Sequence, residues 1–201
     1  MSKKTIFYIA FFAGLVLAFY FVMTKVLPGF GKVEMPVLSY VKPFSFTNQS
    51  GKTITQKDLE GKVAVVEYFF TTCKGICPKM NKNMQEVYKV YKNEPDFRIL
   101  SHTVDPDTDS VPKMKAYSES LGASPDSWWF LTGRKDSLYA AARNSYLLDD
   151  PKHNTGGIDE QFIHTQFFAL VDKQGKVRKI YDGLKKDEVD ELIEDIKKLL
   201  K

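Results

Sequence analysis

Reactive side chains are scarce in this chain of 201 residues, which carries two cysteines, Cys73 and Cys77, and three histidines, His102, His153 and His164. There is no internal repeat and no low-complexity segment. Lysine and arginine outnumber acidic residues 29 to 25, but the lysines are spread out. No basic stripe is interleaved with stacking aromatics, which argues against a nucleic-acid interface. A calcium loop is excluded as well. Asp105-Pro106-Asp107-Thr108-Asp109 begins like one, but Ser110 stands where the sixth-position glycine belongs and Ala116 where the twelfth-position glutamate belongs. The run reads instead as a loop whose Asp109 or Ser110 caps the helix that follows.

Charge is missing altogether between Thr5 and Thr24, a run dominated by Phe, Tyr, Ile, Leu, Val and Ala. Twenty helical residues span about 30 Å, the thickness of a bilayer core. Lys25-Val26-Leu27-Pro28 follows without a small-x-small cleavage site, and no cysteine nearby offers a lipid attachment point. The run therefore reads as a retained anchor rather than a cleaved signal peptide. Lys3 and Lys4 favour a cytoplasmic N-terminus, although Lys25 and Lys32 weaken the asymmetry. The expected organisation is a cytoplasmic N-terminus over 1–4, a transmembrane anchor over 5–24, a Pro- and Gly-containing tether over 25–36, and a folded domain over 37–201.

That domain opens with a hairpin, Phe44 to Phe46 and Thr53 to Thr55, turned at Asn48-Gln49-Ser50-Gly51. Strands and helices then alternate: strand 63–70, helix 78–92, strand 98–104, a helix over 111–121 stopped by Gly122, strand 128–131 and helix 136–146. A polar loop over 148–161 precedes a second hairpin, 167–171 and 177–181. The last helix starts near Asp187, with acidic residues early and lysines late, as the helix dipole favours. The pattern is that of an α/β sandwich around a mixed sheet.

Cys73 and Cys77 lie on the loop between the first long strand and the helix opened by Pro78. Proline suits a first helical position, where its missing N–H has no partner to lose. The second cysteine falls at or next to the N-cap. There, free N–H groups and the helix dipole favour thiolate, and Lys74, Lys79 and Lys82 add positive charge. Three readings stand: a static disulfide, a redox-cycling dithiol, or metal ligands. A structural disulfide would close only a short loop and contribute little. A metal site needs a third ligand. Among the histidines, His102 falls inside a strand, His153 in a polar loop, and His164 just before the 167–171 strand.

Phe69-Phe70-Thr71-Thr72-Cys73-x-x-x-Cys77-Pro78 resembles the signature of the Sco/SenC proteins, membrane-anchored copper-binding factors of cytochrome oxidase assembly. Val104-Asp105-Pro106-x-x-Asp109-Ser110 and Leu131-Thr132-Gly133 are similar to further segments of that family, and His164 stands where its third copper ligand stands. The likeness covers nearly the whole chain. Two departures are Phe162-Ile163 before His164, where the family often has Asp, and the shift of a proline to Pro112. The resemblance implies a thioredoxin-like fold behind one N-terminal transmembrane helix. It also implies copper, Cu(I) or Cu(II), on Cys73, Cys77 and His164, with Cys73 and Cys77 as a redox-active dithiol. The implied role is a bacterial inner-membrane protein with its domain outside the cytoplasm. It would serve the dinuclear copper centre of cytochrome c oxidase, with that enzyme's copper-bearing subunit, a copper donor and a thiol reductant as partners. Little catalytic chemistry is required beyond ligand and thiol–disulfide exchange. The competing expectations are a membrane-tethered thiol–disulfide oxidoreductase and a redox or copper sensor.

Overall fold

The computed structural model describes residues 1–26, 35–150 and 156–201. His153 and most of the expected tether lie outside them. The chain divides into two compact units, Met1–Met35 and Pro36–Lys201. The first holds helix α1 (Lys3–Val26), which buries none of its side chains and is long and apolar enough to cross a membrane. Its apolar residues run all round the helix, as a lipid-facing segment requires.

The second unit is built on one eight-stranded sheet. In chain order the strands are β1 (Ser39–Tyr40), β2 (Ser45–Asn48), β3 (Thr53–Thr55), β4 (Val63–Phe69), β5 (Phe97–Thr103), β6 (Trp128–Thr132), β7 (Phe167–Val171) and β8 (Lys176–Asp182). Their spatial order is β1-β8-β7-β4-β5-β6-β2-β3. Helices α2 (Cys77–Tyr91) and α3 (Val111–Ser120) cross between the parallel strands β4, β5 and β6. The remaining helices are α4 (Lys135–Ala141) and α5 (Lys186–Leu200). All seven residues of β4 are buried, which is why its sequence is an almost unbroken apolar run. Its side chains alternate between two layers. Ala64, Val66 and Tyr68 join the core under α4, where the Tyr68 hydroxyl donates to the Leu138 carbonyl at 2.8 Å. Phe69 faces the other layer, stacked on Tyr117 of α3 and edge-on to Phe130. Helix α5 closes that layer by packing against α2, β8 and β4.

The mixed sheet and alternating helices are those of the thioredoxin-like sandwich expected. Three local features differ. Helix α2 begins at Cys77 rather than Pro78, so proline occupies the second helical position, where its N–H would still lack an intrahelical partner. The expected helix 136–146 is α helical only to Ala141. It continues as a π turn, Ala142–Tyr146, closed by Leu147 at φ 56°. The short β1 and a 3₁₀ turn over Gln56–Leu59 carry too few residues for any periodicity to mark them.

Candidate metal centre and dithiol

The topology brings three connecting segments to one end of the sheet. Strand β4 is parallel to β5 but antiparallel to β7, with Val66 opposite Ala169. The chain leaving β4, the chain leaving β5 and the chain entering β7 therefore meet beyond the carboxyl end of β4, where open α/β sheets place ligands. There a cavity of about 500 Å³ is lined by Phe70, Cys73, Gly75, Cys77, Ile163 and His164, among others. Cys73, Cys77 and His164 are thus brought together in one cavity. Among the described residues, no three His, Cys, Asp or Glu side chains are already close enough to hold a metal ion. Two thiols and one imidazole are nonetheless a donor set suited to copper.

The two cysteines, both free thiols, differ sharply. Burial alone would raise Cys73. The Cys77 thiol and the N–H groups of Cys77, Gly75 and Ile76 outweigh it and hold Cys73 below its ordinary value. Burial pushes Cys77 up to about 12, with the neighbouring Cys73 thiol and the Glu67 carboxylate acting in the same direction. The sequence predicts at least one depressed thiol and favours thiolate at the second cysteine, next to the helix N-cap; burial of Cys77 overturns that placement. The structure assigns the depressed thiol to Cys73, ahead of the helix, and the donors are the Cys77 thiol and backbone N–H groups rather than lysines. The Cys73 N–H itself donates to the Phe70 carbonyl at 3.2 Å, which curls the loop over the start of α2.

His164 is exposed, with its ring 4.9 Å from that of Phe162, while its neighbours Ile163 and Thr165 are buried. The segment before it is pinned at Gln161. The Tyr139 hydroxyl faces the carbonyls of Val104 (2.9 Å) and Gln161 (3.2 Å). Arg143 donates to Gln161 Oε1 at 2.7 Å and is paired with Asp149. On the far side, the Gly183 N–H holds the Gln166 carbonyl at 2.8 Å. His102, by contrast, is enclosed by Phe46, Tyr68 and Tyr146 at 5.1–5.4 Å between centroids. Burial lowers its pKa to about 3, so it is a neutral core residue remote from ligand chemistry.

Two buried acids near the site have surroundings that the sequence reading did not foresee. Glu67 sits in the middle of β4, where the Ser101 hydroxyl donates to Oε1 at 2.6 Å and in turn accepts Trp128 Nε1–H at 2.8 Å. Burial raises Glu67 to about 7, partly offset by the Ser101 hydrogen bond. A single acid inside an apolar run was the available signal. Asp109 was expected as a possible helix cap. The N-cap is Ser110, which makes no side-chain capping bond, and Asp109 is turned into the protein instead.

Comparison with known proteins agrees with this architecture. The SCO1/SenC family model matches residues 34–201. The SCO1 protein homolog of Bacillus subtilis is 34% identical over 170 residues, covering 83% of this chain and 86% of that protein. Among solved structures, a SCO1/SenC family lipoprotein from Bacillus anthracis superposes with a TM-score of 0.71 at 33% identity, over 84% of this chain and 100% of that one. BsSco, described as having a disulfide switch and as a member of the Sco family of cytochrome c oxidase assembly proteins, gives 0.70 at 33% identity over 83% and 98%. Yeast Sco1 with copper bound gives 0.60 at 28% identity over 79% and 89%. With the family model spanning the folded unit and a relative this similar along most of its length, the chain belongs to the SCO1/SenC family.

Proposed function

We propose that this protein is a membrane-anchored copper carrier and thiol–disulfide factor for assembly of the dinuclear copper centre of cytochrome c oxidase. The observation that carries the reading is the convergence of Cys73, Cys77 and His164 on one cavity. Copper is cargo here. Two thiolates suit Cu(I), and the imidazole adds the nitrogen donor that Cu(II) favours. The copper-bound yeast relative and the assembly role stated for BsSco support the assignment. Helix α1 supplies the anchor, and the folded unit would work outside the cytoplasm of a bacterium beside the oxidase's copper-bearing subunit.

The thiol asymmetry also favours disulfide chemistry at the same site. Cys73 is the partly exposed thiol with the depressed pKa, and Cys77 is the buried one. Cys73 as thiolate attacks a partner disulfide, forming a mixed disulfide and releasing one partner thiolate. Cys77 then loses its proton and attacks Cys73, releasing the second partner thiolate and leaving the Cys73–Cys77 disulfide. Two electrons pass to the partner. The test is to load the full chain in detergent with Cu(I) or Cu(II) and compare it with His164→Ala. The copper reading requires wild-type loading with sulfur-to-copper charge-transfer absorption and a selective loss of Cu(II) in the variant. If the wild type binds neither ion while still exchanging disulfides, the oxidoreductase reading takes its place.

A further inference from the structure

We propose that Asp109 is a positioning residue for the dithiol, the brace that sets the entry of the cysteine loop. Its side chain is fully buried, at 0% exposure, and it accepts hydrogen bonds from Thr71 and Thr103. Thr71, two residues before Cys73, gives Asp109 both its N–H, at 3.1 Å from Oδ2, and its hydroxyl, to Oδ1. Thr103, at the end of β5, donates its hydroxyl to Oδ2 at 2.6 Å and accepts the Asp105 N–H at 2.9 Å. Lys113 Nζ, 38% exposed, lies 3.8 Å from Oδ1. Three donors and an ammonium converge on one carboxylate, an acceptor-only group that an amide cannot replace without turning N–H against N–H.

What the carboxylate holds is as informative as how it is held. The Asp109 N–H donates to the Asp105 carbonyl at 2.8 Å, and the Val104 N–H donates to the Phe69 carbonyl at 2.9 Å. The segment leaving β5 is thus closed on itself and fastened to the end of β4. Asp109 then reaches across to the next residues of the neighbouring loop. Among the described residues it is the one side chain from outside 70–77 that hydrogen-bonds into that loop. Thr71 opens the turn in which the Cys73 N–H meets the Phe70 carbonyl. Fixing Thr71 therefore fixes where Cys73 Sγ stands relative to the N–H groups of Gly75, Ile76 and Cys77. The helix that follows is not capped by Asp109, because its N-cap is Ser110; its link to the carboxylate is the half-exposed Lys113 at 3.8 Å. This brace rests on the dithiol being the working site, but not on copper being its cargo.

The experiment equilibrates the metal-free full chain in detergent with reduced and oxidised glutathione and measures the Cys73–Cys77 disulfide fraction, alongside Cys73 alkylation rates across pH. Asp109→Asn should change the disulfide equilibrium constant by at least about fivefold and move the alkylation profile to higher pH, since charge-assisted bonds that orient the loop are lost. Thr71→Val, which keeps the N–H bond and loses the hydroxyl, should move both in the same direction by less, and Thr71→Ser should restore wild-type values. Ser110→Ala should leave both unchanged. If Asp109→Asn or, should that variant fail to fold, Thr71→Val lowers the melting temperature while the disulfide equilibrium and alkylation profile stay at wild type, the brace is only structural and the proposal fails. A wild type that takes up no copper would overturn the carrier reading and leave this result standing.

Discussion

The two flanks of the site are built to different tolerances. On the parallel side, the cysteine loop leaves β4, is tied to Asp109, and curls into the first turn of α2. Its thiols are backed by N–H groups and a helix end. On the antiparallel side, His164 projects from a segment without regular secondary structure, exposed, with a ring contact to Phe162. One flank is prearranged and the other is presented. On the proposed ligand set, a carrier that must both take up and release its cargo would gain from this division, because one donor could be withdrawn without dismantling the pair that remains.

That contrast can be broken most completely from the fixed side. Cys73→Ser should abolish both the intramolecular disulfide and retention of either copper ion. Free-thiol titration and metal analysis after desalting would read this, and retained copper would show that the loop is not the principal holder. The presented side should break more selectively. His164→Ala should weaken Cu(II) on the order of 100-fold and Cu(I) by less than about tenfold, since ligand type decides affinity. Competition titrations with chelators specific for each ion would check this, and equal losses for both ions would contradict it.

A third effect lies beneath the fixed side. Glu67 has its folded pKa raised from 4.5 to about 7 by burial, so the folded state holds its proton more tightly than the unfolded chain. Its contribution to stability is complete below about pH 4.5 and is lost as pH rises to about 7. The loss is on the order of 3 kcal/mol. Denaturant melts at pH 5 and pH 8 should show that slope in the wild type and its absence in Glu67→Gln, and parallel slopes would remove Glu67 as the cause. The smallest effect sharpens the comparison. Because the Cys77 thiol and backbone N–H groups rather than ammonium groups depress Cys73, replacing Lys74, Lys79 and Lys82 together by Gln should shift its alkylation rate at pH 7 by less than about threefold. A larger drop would return the lysines to the account.

Much of this was legible in the residues because the sheet is assembled from local signals. The apolar run of β4, the Pro78 start, the Gly122 stop and the two hairpins each carry their own chemistry, and their alternation dictates the layers. The cysteine pair with a distant histidine was legible through family likeness. Nothing local to His164 separates it from His102, since both simply border or occupy a strand. What distinguishes them is tertiary: four aromatic rings close on His102, and strand antiparallelism delivers His164 to the cavity. Asp109 was read by the local rule for helix caps, and the long-range donors Thr71 and Thr103 outbid that rule. The π turn at 142–146 likewise answers to packing, with Tyr146 buried against His102, and not to helical periodicity.

The pinning of Gln161 and Gln166 has a kinetic consequence. His164 hangs between two fastened points with only a few residues in between, and buried Ile163 and Thr165 leave its backbone little freedom to travel. Its imidazole can still turn about its own side-chain bonds, a motion that exposed residues complete in picoseconds to nanoseconds, whereas folding a loop over a site takes nanoseconds to microseconds or longer. If His164 holds copper as proposed, it would act as a fast, short-throw latch. The pace of handing copper on would then be governed by how the partner's own ligands displace the sulfurs, not by any rearrangement of this chain.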